Sequence, residues 1–138
     1  MAKPELVYVN TIQATPERVW QALTDPAFTQ RYWYGTRLES DWKVGSPIVF
    51  RKPQGDPDEG TVLVFDPPRT LAFAWQVNWG PLKGERASRV TFTVEPEGGG
   101  ARLTVIHDDF DDGSKVFESM KNGWPPILAG LKGVVETG

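Results

Sequence analysis

His107 is the only imidazole in the chain, and there is no cysteine. Thiol nucleophiles, disulfides, cysteine-held zinc or iron–sulfur centres and multi-histidine metal sites are thereby excluded. No metal or cofactor is expected. His107 alternates with Leu103 and Val105 against Arg102, Thr104 and Ile106, a period of two that turns the imidazole toward the interior. Two readings of it stay open: a polar anchor or acid/base group in a cavity, or a structural histidine bonded at the end of a sheet, with the structural reading somewhat ahead. No serine sits in a Gly-x-Ser-x-Gly turn, so nothing local supports a serine nucleophile.

The acidic run Asp108, Asp109, Asp111, Asp112 fails as a calcium loop. Counted from Asp108, the third position is Phe110 and the twelfth is Ser119, where oxygen ligands are needed. It reads instead as a solvated loop favouring the start of a helix. Gly98-Gly99-Gly100 is not followed by a Lys-Ser or Lys-Thr pair, so it is a flexible hairpin and not a phosphate loop. Arg31, Arg37 and Arg51 could face an anionic head group, although arginine is first of all a surface residue.

The six tryptophans say more. Trp20 and Trp124 lie on apolar helix faces and read as core. Trp75 lies on the bulky face of a strand, and Trp79 can end that strand at a cavity mouth. Trp33, between Tyr32 and Tyr34, follows a helix; aromatics with polar tips suit a ligand entrance or ordinary packing.

The elements that must position these residues follow from spacing. Leu6 to Ile12 is a strand. Thr15 caps a helix with Pro16 at its first position and Val19, Trp20 and Leu23 on one face; Glu17 falls one place early for a capping box. Asp25-Pro26 ends it and starts a second short helix carrying Phe28 and closing near Tyr32-Trp33-Tyr34. From Thr36 to Asp108 the period is two. Pro47 to Arg51 is a strand, Gln54 to Glu59 a polar turn, and Thr61 to Phe65 a strand stopped by Asp66-Pro67-Pro68. Leu71, Phe73, Trp75, Val77 and Trp79 form one bulky face, and Glu97 to Gly100 joins the last two strands as a hairpin. Val116, Phe117, Met120, Trp124, Ile127, Leu128, Leu131 and Val135 recur at helical spacing behind Ser114 as cap. Pro125-Pro126 inside that run predicts a kink or break. The order is α+β: an antiparallel sheet with helices on one face.

At 138 residues, the chain fits one domain spanning 1–138, able to bury roughly two thirds of its unfolded surface. With 39% hydrophobic and 12% aromatic residues it is not a disordered polymer. A net charge of −3 gives no general pull on nucleic acid or anionic membrane. No apolar run approaches a bilayer span, and Met1-Ala2-Lys3-Pro4 lacks an apolar signal core, so a soluble cytoplasmic protein is expected.

Several motifs carry a resemblance. They are Pro16-x-x-Val19-Trp20-x-x-Leu23-Thr24-Asp25-Pro26, Trp33, and Trp42-Lys43-Val44-Gly45-Ser46. Next come Gly60-x-Val62, Asp66-Pro67-Pro68-x-x-Leu71 with Trp75, and Leu103-Thr104-Val105-x-His107. The most specific is Gly123-Trp124-x-x-Ile127-Leu128-x-x-Leu131-Lys132. In this order they resemble the START-like (SRPBCC, Bet v-type) superfamily, in its AHSA-type branch related to the activator of the heat-shock chaperone ATPase. Pro125-Pro126 departs from the run of helix formers that follows Gly-Trp in that family.

The resemblance implies a helix-grip fold, a curved antiparallel sheet of about six or seven strands wrapped around a long C-terminal helix, with two short helices after the first strand. It implies a cavity between sheet and helix that holds a small apolar molecule, lipid-like, aromatic or polycyclic, as in a carrier or sensor. The candidate ligand-binding residues are Trp33, Tyr34, Phe50, Trp75, His107, Phe117, Met120 and Trp124. Two other classes stay open. One is an enzyme of cyclase, dehydratase or hydrolase type using His107 and a carboxylate in the cavity. The other is a co-chaperone-like interaction module working through its outer surface. On any of these readings the chain is a monomer or a homodimer, with a chaperone as a possible contact. Large side chains such as Trp75 and Phe117 could also fill the cavity altogether.

Overall fold

Local chemistry sets the start of the chain. A computed structural model describes residues 4–137; Met1-Ala2-Lys3, read above for a signal core, lie outside them. Strand β1 (Leu6–Ile12) leads to helix α1 (Pro16–Thr24), where Thr15 Oγ1 accepts from the Arg18 N–H at 3.2 Å. Asp25 is shared between two helices. Its N–H closes α1 on the Gln21 carbonyl, while its carboxylate caps α2 (Pro26–Tyr32) by accepting from the Ala27 N–H at 2.9 Å. The turn after α2 puts Tyr34 and Gly35 at φ of 51° and 75°. Two successive left-handed residues reverse the chain so that Trp33 points inward and Tyr34 outward.

The strands β2 (Arg37–Ser40), β3 (Pro47–Arg51), β4 (Asp58–Asp66), β5 (Thr70–Gln76), β6 (Ser88–Glu97) and β7 (Gly100–Asp108) complete one antiparallel sheet of seven. Its order is β1-β7-β6-β5-β4-β3-β2. A bulge between Val62 and Val64 breaks the β4–β5 register and helps the sheet curve. Helix α3 (Lys115–Thr137) lies in the grip of that curve and buries Trp124, Ile127 and Leu131 almost completely. This is the expected α+β helix-grip architecture.

The structure departs from the sequence reading in four places. First, β4 begins at Asp58, inside the segment read as a polar turn, and Asp58 is buried. Second, β5 stops at Gln76, short of Trp79; a 3-10 turn over Gly80–Leu82 carries the chain away. Third, Ser114 caps α3 as expected, but a distant residue joins it: Glu85 accepts from the Lys115 N–H at 2.7 Å. Asp108 and Asp109, ahead of the cap, pair with Arg89 and Arg86 at 2.8 Å and 3.1 Å.

Fourth, Pro125 and Pro126 do not break α3, which is helical from Lys115 to Thr137. A proline at 125 deprives the Lys121 carbonyl of its usual amide partner. The Tyr8 hydroxyl, arriving from β1, donates to that carbonyl at 3.3 Å. Two turns on, the Asn10 amide donates to the Leu128 carbonyl at 3.2 Å. Strand β1 thus supplies, through the Tyr8 hydroxyl, the donor that Pro125 cannot.

Candidate functional site

A pocket of about 660 Å³ opens at one end of the grip, a volume within the range of small-molecule sites. One wall is the α2–β2 turn with Trp33, Tyr34 and Thr36; another is the first half of α3 with Met120 and Ile127. The remaining wall comes from the sheet end: Lys52 and Pro53 after β3, Asp58 opening β4, and Trp75 near the end of β5. Tyr34 and Trp79, 62% and 58% exposed, stand at the mouth. The Tyr34 hydroxyl donates to the Gly123 carbonyl at 3.1 Å and ties the turn to α3.

Of the eight residues singled out from the sequence, the structure puts Trp33, Tyr34, Trp75 and Met120 on the pocket wall. Phe50, His107 and Trp124 stand one layer behind it, in an aromatic cluster centred on Trp33 and Trp75. Trp33 is 6.2 Å from Phe50, 6.0 Å from Trp75 and 5.4 Å from Trp124, ring centre to ring centre. Trp75 stacks on both Phe50 and His107, at 5.4 Å and 5.6 Å. Phe117 is drawn away from the pocket, onto Phe110 at 5.1 Å. The aromatics therefore do both jobs: most of them are core, and Trp33 and Trp75 also line the pocket.

His107 is fully buried, and both ring nitrogens are engaged inside the fold. The Trp124 indole N–H donates to Nδ1 at 3.1 Å, so Nδ1 carries the lone pair and the proton sits on Nε2. Nε2 in turn meets Ser88 Oγ at 2.7 Å. Burial pushes the pKa of His107 down to about 3, against a smaller upward pull from Asp108. The imidazole is neutral at ordinary pH and fixed in one tautomer. That is the geometry of a structural histidine bonded at the end of a sheet.

Sequence reasoning missed the polar part of the wall. The carboxylate of Asp58 accepts from Lys52 Nζ at 2.9 Å, from the Asn78 N–H at 2.8 Å and from the Trp75 indole N–H at 3.1 Å. Lys52 Nζ also reaches the Asn78 carbonyl at 3.3 Å. The ion pair is largely desolvated, with the side chains 17% and 8% exposed. A signal was available: counting back by twos from Val62 through Gly60 places Asp58 on the inner face of β4. Its surroundings, Gln54-Gly55-Asp56-Pro57, read as turn and hid it. Arg37 and Arg51 pair with Glu39 at 3.5 Å and 2.6 Å, and neither they nor Arg31 line the pocket. Among the described residues, no group of three or more histidine, aspartate or glutamate side chains stands close enough to hold a metal, and no helix is long and apolar enough to cross a membrane.

With this geometry in place, comparison with known proteins is informative. A family model described as Activator of Hsp90 ATPase homolog 1-like protein matches residues 13–136. A crystal structure of a protein from Mesorhizobium loti is similar at 25% identity, with 96% of each chain covered and a TM-score of 0.83. The solution structure of the Aha1 dimer from Colwellia psychrerythraea is similar at 21% identity, 98% of each chain and a TM-score of 0.79. CalU16 from Micromonospora echinospora is similar at 22% identity, covering 96% of this chain and 76% of that one, with a TM-score of 0.76. No curated protein matches the chain.

Proposed function

The chain belongs to the Activator of Hsp90 ATPase homolog 1-like protein family, and from that premise we propose that it is a cytoplasmic carrier or sensor of a small apolar molecule. The single observation behind this reading is the pocket of about 660 Å³, walled by Trp33, Trp75, Met120 and Ile127 and open to solvent between Tyr34 and Trp79. Trp33, Trp75, Met120 and Ile127 are each at least nine-tenths buried, so the wall is held rigid by the core behind it. Apolar contact supplies most of the affinity in a site of this kind. Catalysis through His107 has less support, since both imidazole nitrogens are committed to Trp124 and Ser88.

The test is thermal unfolding against a panel of lipophilic compounds. A ligand at 100 times its Kd stabilises by about 2.7 kcal/mol, a shift of several degrees for a domain of this size. A related series of compounds that raises the midpoint supports the carrier; a flat response across the panel removes it.

A second reading rests on the outer face of edge strand β1, where Val7 and Val9 are 50% and 62% exposed. On that reading the chain is an interaction module that meets a second copy of itself or a chaperone ATPase. Both partners take their cue from the family description and from the dimer named for the Colwellia relative. Sedimentation of wild type beside Val9→Lys tests the self-association.

A further inference from the structure

We propose that the pocket's ligand is an uncharged amphipathic molecule, with a ring or alkyl body against Trp33, Trp75, Met120 and Ile127 and an oxygen acceptor seated on Lys52 Nζ. This deepens the small-molecule reading and rests on it. The argument begins with proton counting. A lysine ammonium has three donors. Lys52 spends one on Asp58 and one on the Asn78 carbonyl, and its side chain lies on the pocket wall. One N–H is left for whatever enters.

Charge then decides what can take it. Among the described residues, Lys52 and Asp58 are the only charged ones on the wall, and at 2.9 Å they cancel. Asp58 cannot swing away from the pair without giving up the Trp75 indole and the Asn78 amide. A carboxylate ligand would leave water for a wall of zero net charge, and a cationic ligand would find its counter-ion already taken; both lose their hydration with too little in return. A ketone, ether or hydroxyl oxygen loses far less and gains a charge-assisted hydrogen bond. The apolar wall rewards the rest of the same molecule.

Three probes of one shape test this by calorimetry at pH 7: naphthalene, 2-acetylnaphthalene and 2-naphthoate. In wild type, 2-acetylnaphthalene should bind about tenfold more tightly than either of the others, the worth of one such hydrogen bond. Lys52→Met should erase that advantage and leave naphthalene unchanged. Asp58→Asn keeps one acceptor oxygen, enough for either the Asn78 amide or the Trp75 indole, and uncovers the ammonium, so 2-naphthoate should become the tightest of the three. If Asp58→Asn does not fold, the wild type and Lys52→Met carry the test. Binding in which the acetyl group adds nothing, or in which wild type prefers 2-naphthoate, overturns this inference and leaves the pocket reading standing. If none of the three binds, the pocket reading falls and takes this inference with it.

Discussion

The Trp124 indole N–H donates to Nδ1 of His107 at 3.1 Å, joining the long helix to the last strand through two fully buried side chains. Neither ring is free for other chemistry, and the bond holds only while His107 is neutral: a protonated imidazole carries N–H groups at both positions and would set a donor against a donor.

That requirement makes stability depend on acid. In the unfolded chain His107 titrates near its ordinary 6.5, and in the folded chain burial lowers this to about 3. Between those values the unfolded state binds a proton that the folded state refuses, so folding weakens as pH falls from about 6.5 toward 3 and is insensitive to this group above 7. The loss attributable to His107 is at most about 5 kcal/mol. Urea unfolding of wild type and His107→Gln from pH 7.5 to pH 4 should show a steeper acid decline in wild type, with the variant weaker by about 2 kcal/mol at pH 7. Parallel curves would contradict the depressed pKa.

Asp58 anchors three donors, and its loss should be felt more than that of its partner. Asp58→Ala leaves the Trp75 indole and Lys52 without their acceptor. Because Lys52 can turn partly to solvent, the expected cost is about 2 to 3 kcal/mol, toward the low side for a broken buried pair. Lys52→Met should cost less, since Asp58 keeps its two N–H partners. Equal midpoints for the two variants in urea would count against this ranking.

Gly60 faces Trp75 across β4 and β5, and a Cβ there would run into the Ala74 carbonyl oxygen. Backbone cannot yield as a side-chain tip can, so Gly60→Ala should force the two strands apart. We expect a loss of about 3 kcal/mol or more and a fall in thermal midpoint beyond 10 °C. A variant as stable as wild type would show that the strands tolerate the shift.

Tyr8 and Pro125 should be coupled. Tyr8→Phe removes the hydroxyl donor to Lys121 and should cost about 1 kcal/mol. Pro125→Ala restores the amide that normally serves the same carbonyl. In the Pro125→Ala background, Tyr8→Phe should then cost little. A double-mutant cycle with zero coupling would remove the compensation argument.

Ser119 is exposed and lines the pocket from the first half of α3. Ser119→Trp should close the mouth while leaving the ligand-free thermal midpoint within about 2 °C of wild type. Any compound that stabilises wild type should lose its effect on this variant. Retained stabilisation would place the bound molecule elsewhere.

The sequence by itself determined the parts whose causes are local. Thr15, Pro16 and Asp25 cap and break the two short helices through atoms a few residues apart. Period two turned Leu103, Val105 and His107 inward, and helical spacing gathered Val116, Met120, Trp124 and Leu131 on one face. The family resemblance added the grip itself. Tertiary structure decided what no spacing encodes. It chose Trp33 and Trp75 to touch the pocket while Phe50 and Trp124 close the core behind them, because all four point inward and only packing tells them apart. It drew Phe117 onto Phe110 and brought a hydroxyl from 113 residues away to the carbonyl that Pro125 leaves without its amide. It also made a pocket wall of Asp58, whose neighbours spell a turn, because Lys52, Trp75 and Asn78 converge on its carboxylate only once β3, β4 and β5 have paired. A cap is satisfied within one turn of chain, whereas a buried charge and an interrupted helix are satisfied only by groups that folding brings from far along the chain.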